Sequence, residues 1–194
     1  MGRINKKRVD LRALNQWSKA LERKVSIRVG IIGREAAAIH GGSNLTNAEL
    51  GAVYEFGGTL PVTDKMRKYL HSQGLRLQKE TTTINLPAHS FLREPILGKE
   101  GRREILKVVR EELGRSIRAA DLSTNTANKI LDDAVYMMAE TALYRVQEAF
   151  ANDGIKPPAK PSSKKRRKYN PENPTLVDTG QLQRSITYEV KEIK

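Results

Sequence analysis

The stretch that decides the fold lies near the carboxyl end of the chain, where residues 173–190 read NPTLVDTGQLQRSITYEV. Its second half predicts a strand, because Ile186, Tyr188 and Val190 alternate with polar residues. A terminus that returns to a strand after a turn is expected to end inside its own sheet. This pattern is more typical of a structural or assembly protein than of an enzyme.

The first half of the stretch predicts a capped turn of helix. Asp178 or Thr179 is expected to accept backbone N–H bonds, and the side chain of Gln181 is expected to reach back to the same turn. Gly180 allows the chain to turn closely, and Leu182 anchors the turn in the core. These roles are architectural, and none of them supplies a reactive group.

The segment before this stretch is strongly basic. Residues 156–168 carry seven positive charges and no negative one. Prolines on both sides of the segment interrupt helix and sheet, which predicts a flexible basic loop over 153–175. Its charge cluster could neutralise phosphates without sequence preference, could be solvated without a ligand, or could act as a nuclear-localisation signal. The cluster consists of Lys164, Lys165, Arg166, Arg167 and Lys168.

The length and composition of the chain limit the classes of protein to which it can belong. A chain of 194 residues predicts a single domain over 1–194. The net charge of +13 favours a polyanionic neighbour. The absence of cysteine excludes disulfides and thiolate metal sites. No apolar run is long enough to cross a membrane and the amino terminus lacks a secretory signal, so we expect synthesis in the cytoplasm and no membrane partner.

Hydrophobic spacing predicts the elements of the amino-terminal part. An amphipathic helix is expected over 10–23 and a half-buried strand over 25–32. Thr46 and Glu49 match a capping box, which starts a helix that ends at Gly57. Segment 58–86 interrupts this clear pattern. It resembles an insertion or a long hairpin, with a small helix over 64–72 and a strand over 81–86.

Two further helices are expected, over 102–118 and over 125–151. The second is predicted to be the core helix. Its apolar stripe comprises Leu131, Val135, Met138, Ala142, Val146 and Ala149, and Ile130, Ala134 and Met137 widen it beyond a narrow seam. The order of elements favours an α+β fold, an antiparallel sheet packed against the long helix with additional helices and long loops. The strands over 25–32 and 184–193 are both expected in that sheet.

No pattern in the sequence indicates an enzyme. His40, His71 and His89 show no i, i+4 pairing, and no metal-ligand motif surrounds them. Phosphate-binding loops and nucleophile elbows are also absent from the sequence. We therefore expect no catalytic residues, no metal and no cofactor.

Three segments, in order, resemble the tail-completion or neck proteins of tailed bacteriophages, which act in virion morphogenesis. The first comprises residues 29–32 followed by NAELGAVYEFG at 47–57. The second is LPAHSFLR at 86–93, and the third is PTLVDTGQLQRSITY at 174–188. His89 stands where the family pattern usually has arginine, and the length of segment 58–86 suggests a lineage-specific insertion.

The signature residues of this resemblance are interpreted as fold determinants. Glu55, Phe56 and Gly57, with Gly58 after them, are expected to close a helix, with Phe56 buried and both glycines free to adopt positive φ. Pro87 and Phe91 are expected to fix a turn and to anchor it in the core. Asp178, Thr179, Gly180 and Leu182 complete the set.

The resemblance implies a structural protein of the virion, located at the head–tail junction. Such proteins form rings, commonly hexameric, between the portal-side connector and the tail terminator or tail tube. Double-stranded DNA passes through the ring, so the cluster at 164–168 would contact its phosphates or acidic neighbouring subunits. The alternative is a free, non-specific DNA- or RNA-binding protein that acts through its basic loops. The scarcity of aromatic residues near the basic runs and the lack of a helix-turn-helix favour the neck protein.

Overall fold

The fold is α+β, as the order of predicted elements indicated. The computed structural model describes residues 11–40, 45–72, 74–119, 124–158, 174–177 and 179–193. Its elements, in chain order, are α1 (Leu11–Leu21), β1 (Lys24–Ile31), α2 (Arg34–Ala37), α3 (Asn47–Phe56), β2 (Gly58–Pro61), α4 (Asp64–Ser72), β3 (Thr83–Leu86), α5 (Arg93–Leu97), α6 (Lys99–Ala119), α7 (Thr124–Ala151), α8 (Gln181–Arg184) and β4 (Ile186–Ile193).

The first sheet joins the two ends of the described chain. Strands β1 and β4 pair in antiparallel register, from Lys24 opposite Ile193 to Ile31 opposite Ile186. Both strands contact helix α7. The prediction that the carboxyl-terminal strand returns to the sheet and that this sheet packs on the long helix is therefore confirmed.

Helix α7 is the spine of the fold, because it contacts α1, α5, α6 and both strands of the first sheet. Its buried apolar residues are Ala127, Ile130, Ala134, Ala139, Ala142, Val146 and Phe150. Of the predicted residues, Ile130, Ala134, Ala142 and Val146 are buried as expected, whereas Leu131, Val135, Met137, Met138 and Ala149 are only half-buried. A helix that neighbours cover on several sides buries a broad band, so its most buried residues do not all lie on the predicted stripe.

The densest part of the core lies where α7 meets the carboxyl-terminal turn. Phe91 and Phe150 pack here with ring centroids 5.5 Å apart and planes tilted by 59°. Val146, Ile155, Leu182 and Ile186 complete the buried cluster. Residues far apart in the sequence thus share one core, which connects the predicted turn at Pro87 and Phe91 to the carboxyl-terminal turn and strand.

Segment 58–86 forms a hairpin that carries a helix between its strands. Strands β2 and β3 pair in antiparallel register, from Gly58 opposite Leu86 to Pro61 opposite Thr83. The guanidinium of Arg67 donates to the carbonyl oxygens of Gln78 and Thr81, at 2.8 Å in each case. The hairpin expectation is confirmed, and the interpretation of this segment as an insertion stays a prediction.

Candidate assembly site

The buried carboxylate of Glu55 connects the first two segments of the resemblance. Its Oε1 accepts from the hydroxyl of Ser90 at 2.7 Å, and its Oε2 accepts from the backbone N–H of Leu92 at 2.9 Å. Oε1 also accepts from the backbone N–H of Arg93 at 3.1 Å and from its side-chain Nε at 2.9 Å. Glu55 is only 3% exposed. We call this group of four residues the Glu55 junction.

The expectation that Phe56 is buried was wrong, because its side chain is 64% exposed. Burial on helix α3 falls on Asn47, Gly51 and Glu55, which recur every four residues and face the protein. Phe56 follows Glu55 by one position and therefore points away from that face. The guanidinium of Arg93 lies 4.8 Å from the centre of its ring, which leaves a cation–π pair at the surface.

Gly57 ends helix α3 at a place that only glycine fits. Its φ of 67° confirms the predicted positive value, which Gly58 does not share. The ψ of Gly57, −172°, lies in a region that other residues essentially never adopt. A Cβ atom at this position would lie 2.7 Å from the backbone nitrogen of Ala88 and 2.7 Å from the carbonyl oxygen of Leu86. Gly57 therefore lets the helix end approach the turn of the second segment.

We expect Gly57→Ala to lower the free energy of unfolding by about 3 kcal/mol, from backbone strain and a backbone clash together. Gly33→Ala is the matched control, because Gly33 has a similar φ of 65° but nothing within 4 Å of the added Cβ. Urea unfolding of both variants separates the two causes. Equal losses in the two proteins would contradict the close approach at Gly57.

A second polar junction connects the first segment to the third. Asn47 is fully buried, and its amide donates to the carbonyl oxygen of Glu35 at 3.0 Å. Its Oδ1 accepts from Nε2 of Gln181 at 3.2 Å and lies 3.0 Å from Nδ1 of His40. Gln181 also donates to the carbonyl oxygen of Ile39 at 3.1 Å. We call this group the Asn47 junction.

The predicted turn around Gly180 is present, with one unexpected contact. Thr179 accepts the backbone N–H of Gln181 at 3.2 Å, as expected, but the N-cap residue of α8 is Gly180, which makes no side-chain cap bond. Gly180 has a φ of 73° and a ψ of 4°, and Leu182 is 3% exposed, as predicted for the anchor. The amide of Gln181, which was expected to reach back within the turn, donates across to the Asn47 junction. Asp178 lies outside the described residues.

The second segment forms the predicted anchored turn. Phe91 is fully buried in the core, as expected, whereas Pro87 is exposed at the start of the turn. The backbone N–H of His89, the residue that departs from the family pattern, donates to the carbonyl oxygen of Tyr54 at 2.7 Å. That bond involves the backbone alone, so it does not require the usual arginine side chain.

The two ends of the predicted basic loop are attached to the core. The carboxylate of Asp153 accepts the backbone N–H of Thr175, which is itself 1% exposed. Ile155 is buried in the core cluster, and Leu176 packs against it from the other end of the loop. The charge cluster, Lys164, Lys165, Arg166, Arg167 and Lys168, lies outside the described residues.

An apolar groove opens between β1, α5, α6 and α7. It has a volume of about 520 Å³. Leu97 and Leu106 stand at this groove with more than half of their side chains exposed. Its remaining lining residues are Ile27, Val29, Leu92, Arg93, Ile96, Arg102, Ile105, Met138 and Ala142. Exposed apolar surfaces of this kind often mark sites where another protein binds.

Contacts with neighbouring residues shift the pKa of Tyr188 and of Glu49. Partial burial and the carboxylate of Glu140, which accepts the Tyr188 hydroxyl at 3.3 Å, raise the pKa of Tyr188. The backbone N–H and the hydroxyl of Thr46 lower the pKa of Glu49, and the two residues form the predicted capping box. Within the described part of the chain, no three His, Asp or Glu side chains are grouped so that they could hold a metal ion.

Sequence reasoning missed Asn47 and Gln181 as connecting residues and did not assign Glu55 its partners. The signal that was available is the four-residue spacing of Asn47, Gly51 and Glu55, which places the three residues on one helix face whether they are polar or apolar.

No helix among the described residues has the length and apolar character needed to cross a membrane. Comparison of the chain with protein-family models, with curated proteins and with solved structures found no match.

Proposed function

We propose that this chain is a structural virion protein of the head–tail junction of a tailed bacteriophage. Six copies would form a ring that joins the portal-side connector to the tail terminator or tail tube and surrounds the DNA channel. The observation that carries the proposal is that the three segments of the resemblance meet in space. The Glu55 junction connects the first to the second, and the Asn47 junction connects the first to the third.

Because the three segments meet, the signature residues share one structural role, which is to hold distant segments together. Glu55, Gly57, Phe91 and Leu182 are each held in contacts that join segments distant in the sequence. Residues of this kind specify an architecture and supply no reactive group. They therefore favour an assembly role over catalysis.

The apolar groove supports the assembly part of the proposal. A ring requires a heterologous contact, in which one surface of each subunit meets a different surface of the next. A groove that exposes Leu97 and Leu106 offers such a surface. In the proposed ring, a neighbouring copy of this chain covers it.

Removal of this chain from its virion tests the proposal directly. We expect filled heads and finished tails to accumulate separately, because the layer that joins them is missing. Electron microscopy of particles made with and without the protein is the measurement, and rings formed by the purified chain would support the same conclusion. Intact particles assembled without the protein would contradict it.

Charge reversal of the basic loop tests the proposed contact with DNA or with acidic neighbouring subunits. The variant replaces the lysines and arginines at 164–168 with glutamate, and we expect head–tail joining or DNA retention to fall by about tenfold or more because phosphate neutralisation becomes repulsion. The measurement is the titre of infectious particles. The control reverses five exposed lysines elsewhere, namely Lys19, Lys24, Lys65, Lys68 and Lys79. Full infectivity of the loop variant would remove the loop from the proposal.

The alternative is a free, non-specific nucleic-acid-binding protein, which the net charge of +13 favours. Assembly separates the two functions. A monomer with tight, salt-sensitive affinity for free duplex supports the alternative, whereas a ring and incorporation into particles support the neck protein. A nuclease assay with magnesium tests the remaining enzymatic possibility.

A further inference from the structure

The outward face of helix α6 carries a row of positive charges that the sequence patterns did not single out. The spacings between its members are four, four, three and eight residues, which keeps them on one side of a helix with 3.6 residues per turn. All of them are exposed, on the side opposite the buried Ile105 and Val109. The row, which we call the α6 stripe, consists of Lys99, Arg103, Lys107, Arg110 and Arg118.

Some charged residues of α6 form ion pairs within the described part of the chain, and the cations of the α6 stripe do not. The carboxylate of Glu104 contacts Arg145 of α7 at 3.0 Å, and that of Glu112 contacts Arg115 at 2.6 Å. Among the described residues, no carboxylate oxygen lies within 4.0 Å of a cationic nitrogen of the α6 stripe. Glu100 and Glu111 border the stripe without forming ion pairs with it. Among the described residues, the five cations of the α6 stripe therefore have no direct ion-pair partner.

The dimensions of the stripe suit a phosphate backbone. From Lys99 to Arg118 the helix is about 28 Å long at 1.5 Å per residue, and the first four cations follow one another at about 4.5–6 Å along its axis. Duplex DNA presents one phosphate charge per ~1.7 Å of its axis, so each cation can find a phosphate. Three of the five residues are arginines, whose guanidinium groups bind phosphate oxygens in pairs.

Other polyanions fit this face less well. Single strands are normally held by stacking of bases on aromatic rings, and α6 contains no Phe, Tyr or Trp. A membrane-surface helix inserts its apolar face into the lipid, but Ile105 and Val109 of α6 are buried within the protein. The α6 stripe is thus best suited to contacts with the phosphates of a rigid duplex.

We propose that the α6 stripe binds the phosphate backbone of duplex DNA without reading its sequence. This inference deepens the proposed neck function, because it names a second surface that faces DNA beside the basic loop. Contact with DNA inside a virion rests on the proposed function. Binding by the purified protein does not require a particle, so it can be tested separately.

The test measures the affinity of the purified chain for a short duplex over a series of salt concentrations. Replacement of all five residues of the α6 stripe by glutamine is expected to make the slope of log Kobs against log[salt] shallower by about 4.5, at ~0.9 for each phosphate that is no longer neutralised. Lys107→Gln alone should change it by about 0.9. Glutamine is a good helix former, and circular dichroism checks that α6 persists.

Two controls distinguish an effect of the α6 stripe from an effect of the total positive charge of the protein. Glutamine at Lys19, Lys24, Lys65, Lys68 and Lys79 removes the same charge from scattered positions and should leave the slope within about one unit of the parent value. Lysine at Arg103, Arg110 and Arg118 keeps the charge and should preserve the slope. Equal changes of slope in the stripe and scattered variants would overturn the inference, as would an unchanged slope in the stripe variant.

Two further outcomes are informative. Stripe-dependent binding to phosphatidylserine vesicles without binding to duplex DNA would overturn the inference in favour of a lipid surface. Stripe-dependent DNA binding by a chain whose removal leaves particles intact would support the inference and contradict only the neck function. Failure of the inference and failure of the proposed function are therefore distinguishable.

Discussion

Glu55→Ala is expected to lower the free energy of unfolding by about 4 kcal/mol, a larger loss than most single substitutions cause. The carboxylate is 3% exposed and accepts from Ser90, from the backbone of Leu92 and from Arg93. Alanine leaves these donors without their acceptor in a partly buried site, where each unmade bond costs about 1–3 kcal/mol. Urea unfolding followed by circular dichroism measures the change.

Two comparisons make this result specific. Glu111→Ala removes an exposed carboxylate from α6 and should change stability by less than about 0.5 kcal/mol. Arg93→Met removes the counter-charge of the buried Glu55 carboxylate and the pair with Phe56 but keeps both backbone bonds, so it should cost about 2 kcal/mol, less than Glu55→Ala. If Glu55→Ala costs no more than Glu111→Ala, the Glu55 junction does not stabilise the fold.

Phe91→Ala is expected to lower the free energy of unfolding by a similar amount, about 4 kcal/mol. The ring is fully buried and packs against Phe150 with centroids 5.5 Å apart. Its removal leaves a cavity and also breaks an aromatic pair worth about 0.5–1.5 kcal/mol. Thermal and urea unfolding of the purified variant provide the measurement.

Phe56→Ala is the matched control for Phe91, because the two phenylalanines belong to neighbouring segments of the resemblance. Phe56 is 64% exposed and contacts the guanidinium of Arg93, so its removal should cost about 1 kcal/mol or less. Phe91→Leu keeps most of the core volume and should recover more than half of the stability. Equal costs for Phe56→Ala and Phe91→Ala would mean that the outward direction of Phe56 is wrong.

Local signals in the sequence were sufficient for much of the fold. The capping box of Thr46 and Glu49 marked the start of α3, and a positive φ was expected and found at Gly57. The predicted helix over 125–151 differs by one residue from α7, Thr124–Ala151. These features depend on hydrogen bonds and backbone preferences within a few residues, so neighbours in the sequence contain the necessary information.

The side chains of α3 show where such reasoning fails. Phe56 was predicted to be buried because it is apolar, and its exposure follows from the direction of the helix face. That face buries Asn47, Gly51 and Glu55, whose polarity gives no hydrophobic periodicity. Their burial depends on donors from Ser90 to Arg93 and on Gln181, which the sequence does not place beside α3.

The sequence by itself determined the class of fold, the capping box of α3, the approximate extents of the main helices, the return of the chain to its first strand, and the positive charge. Only the tertiary structure decided that the three segments of the resemblance meet through Glu55 and Asn47, and that five cations of α6 face outward without ion-pair partners among the described residues. The physical reason is the distance along the chain over which the deciding interactions act. Caps and turns are satisfied locally, whereas a buried polar group or an unpaired charge is defined by what the rest of the chain brings near it.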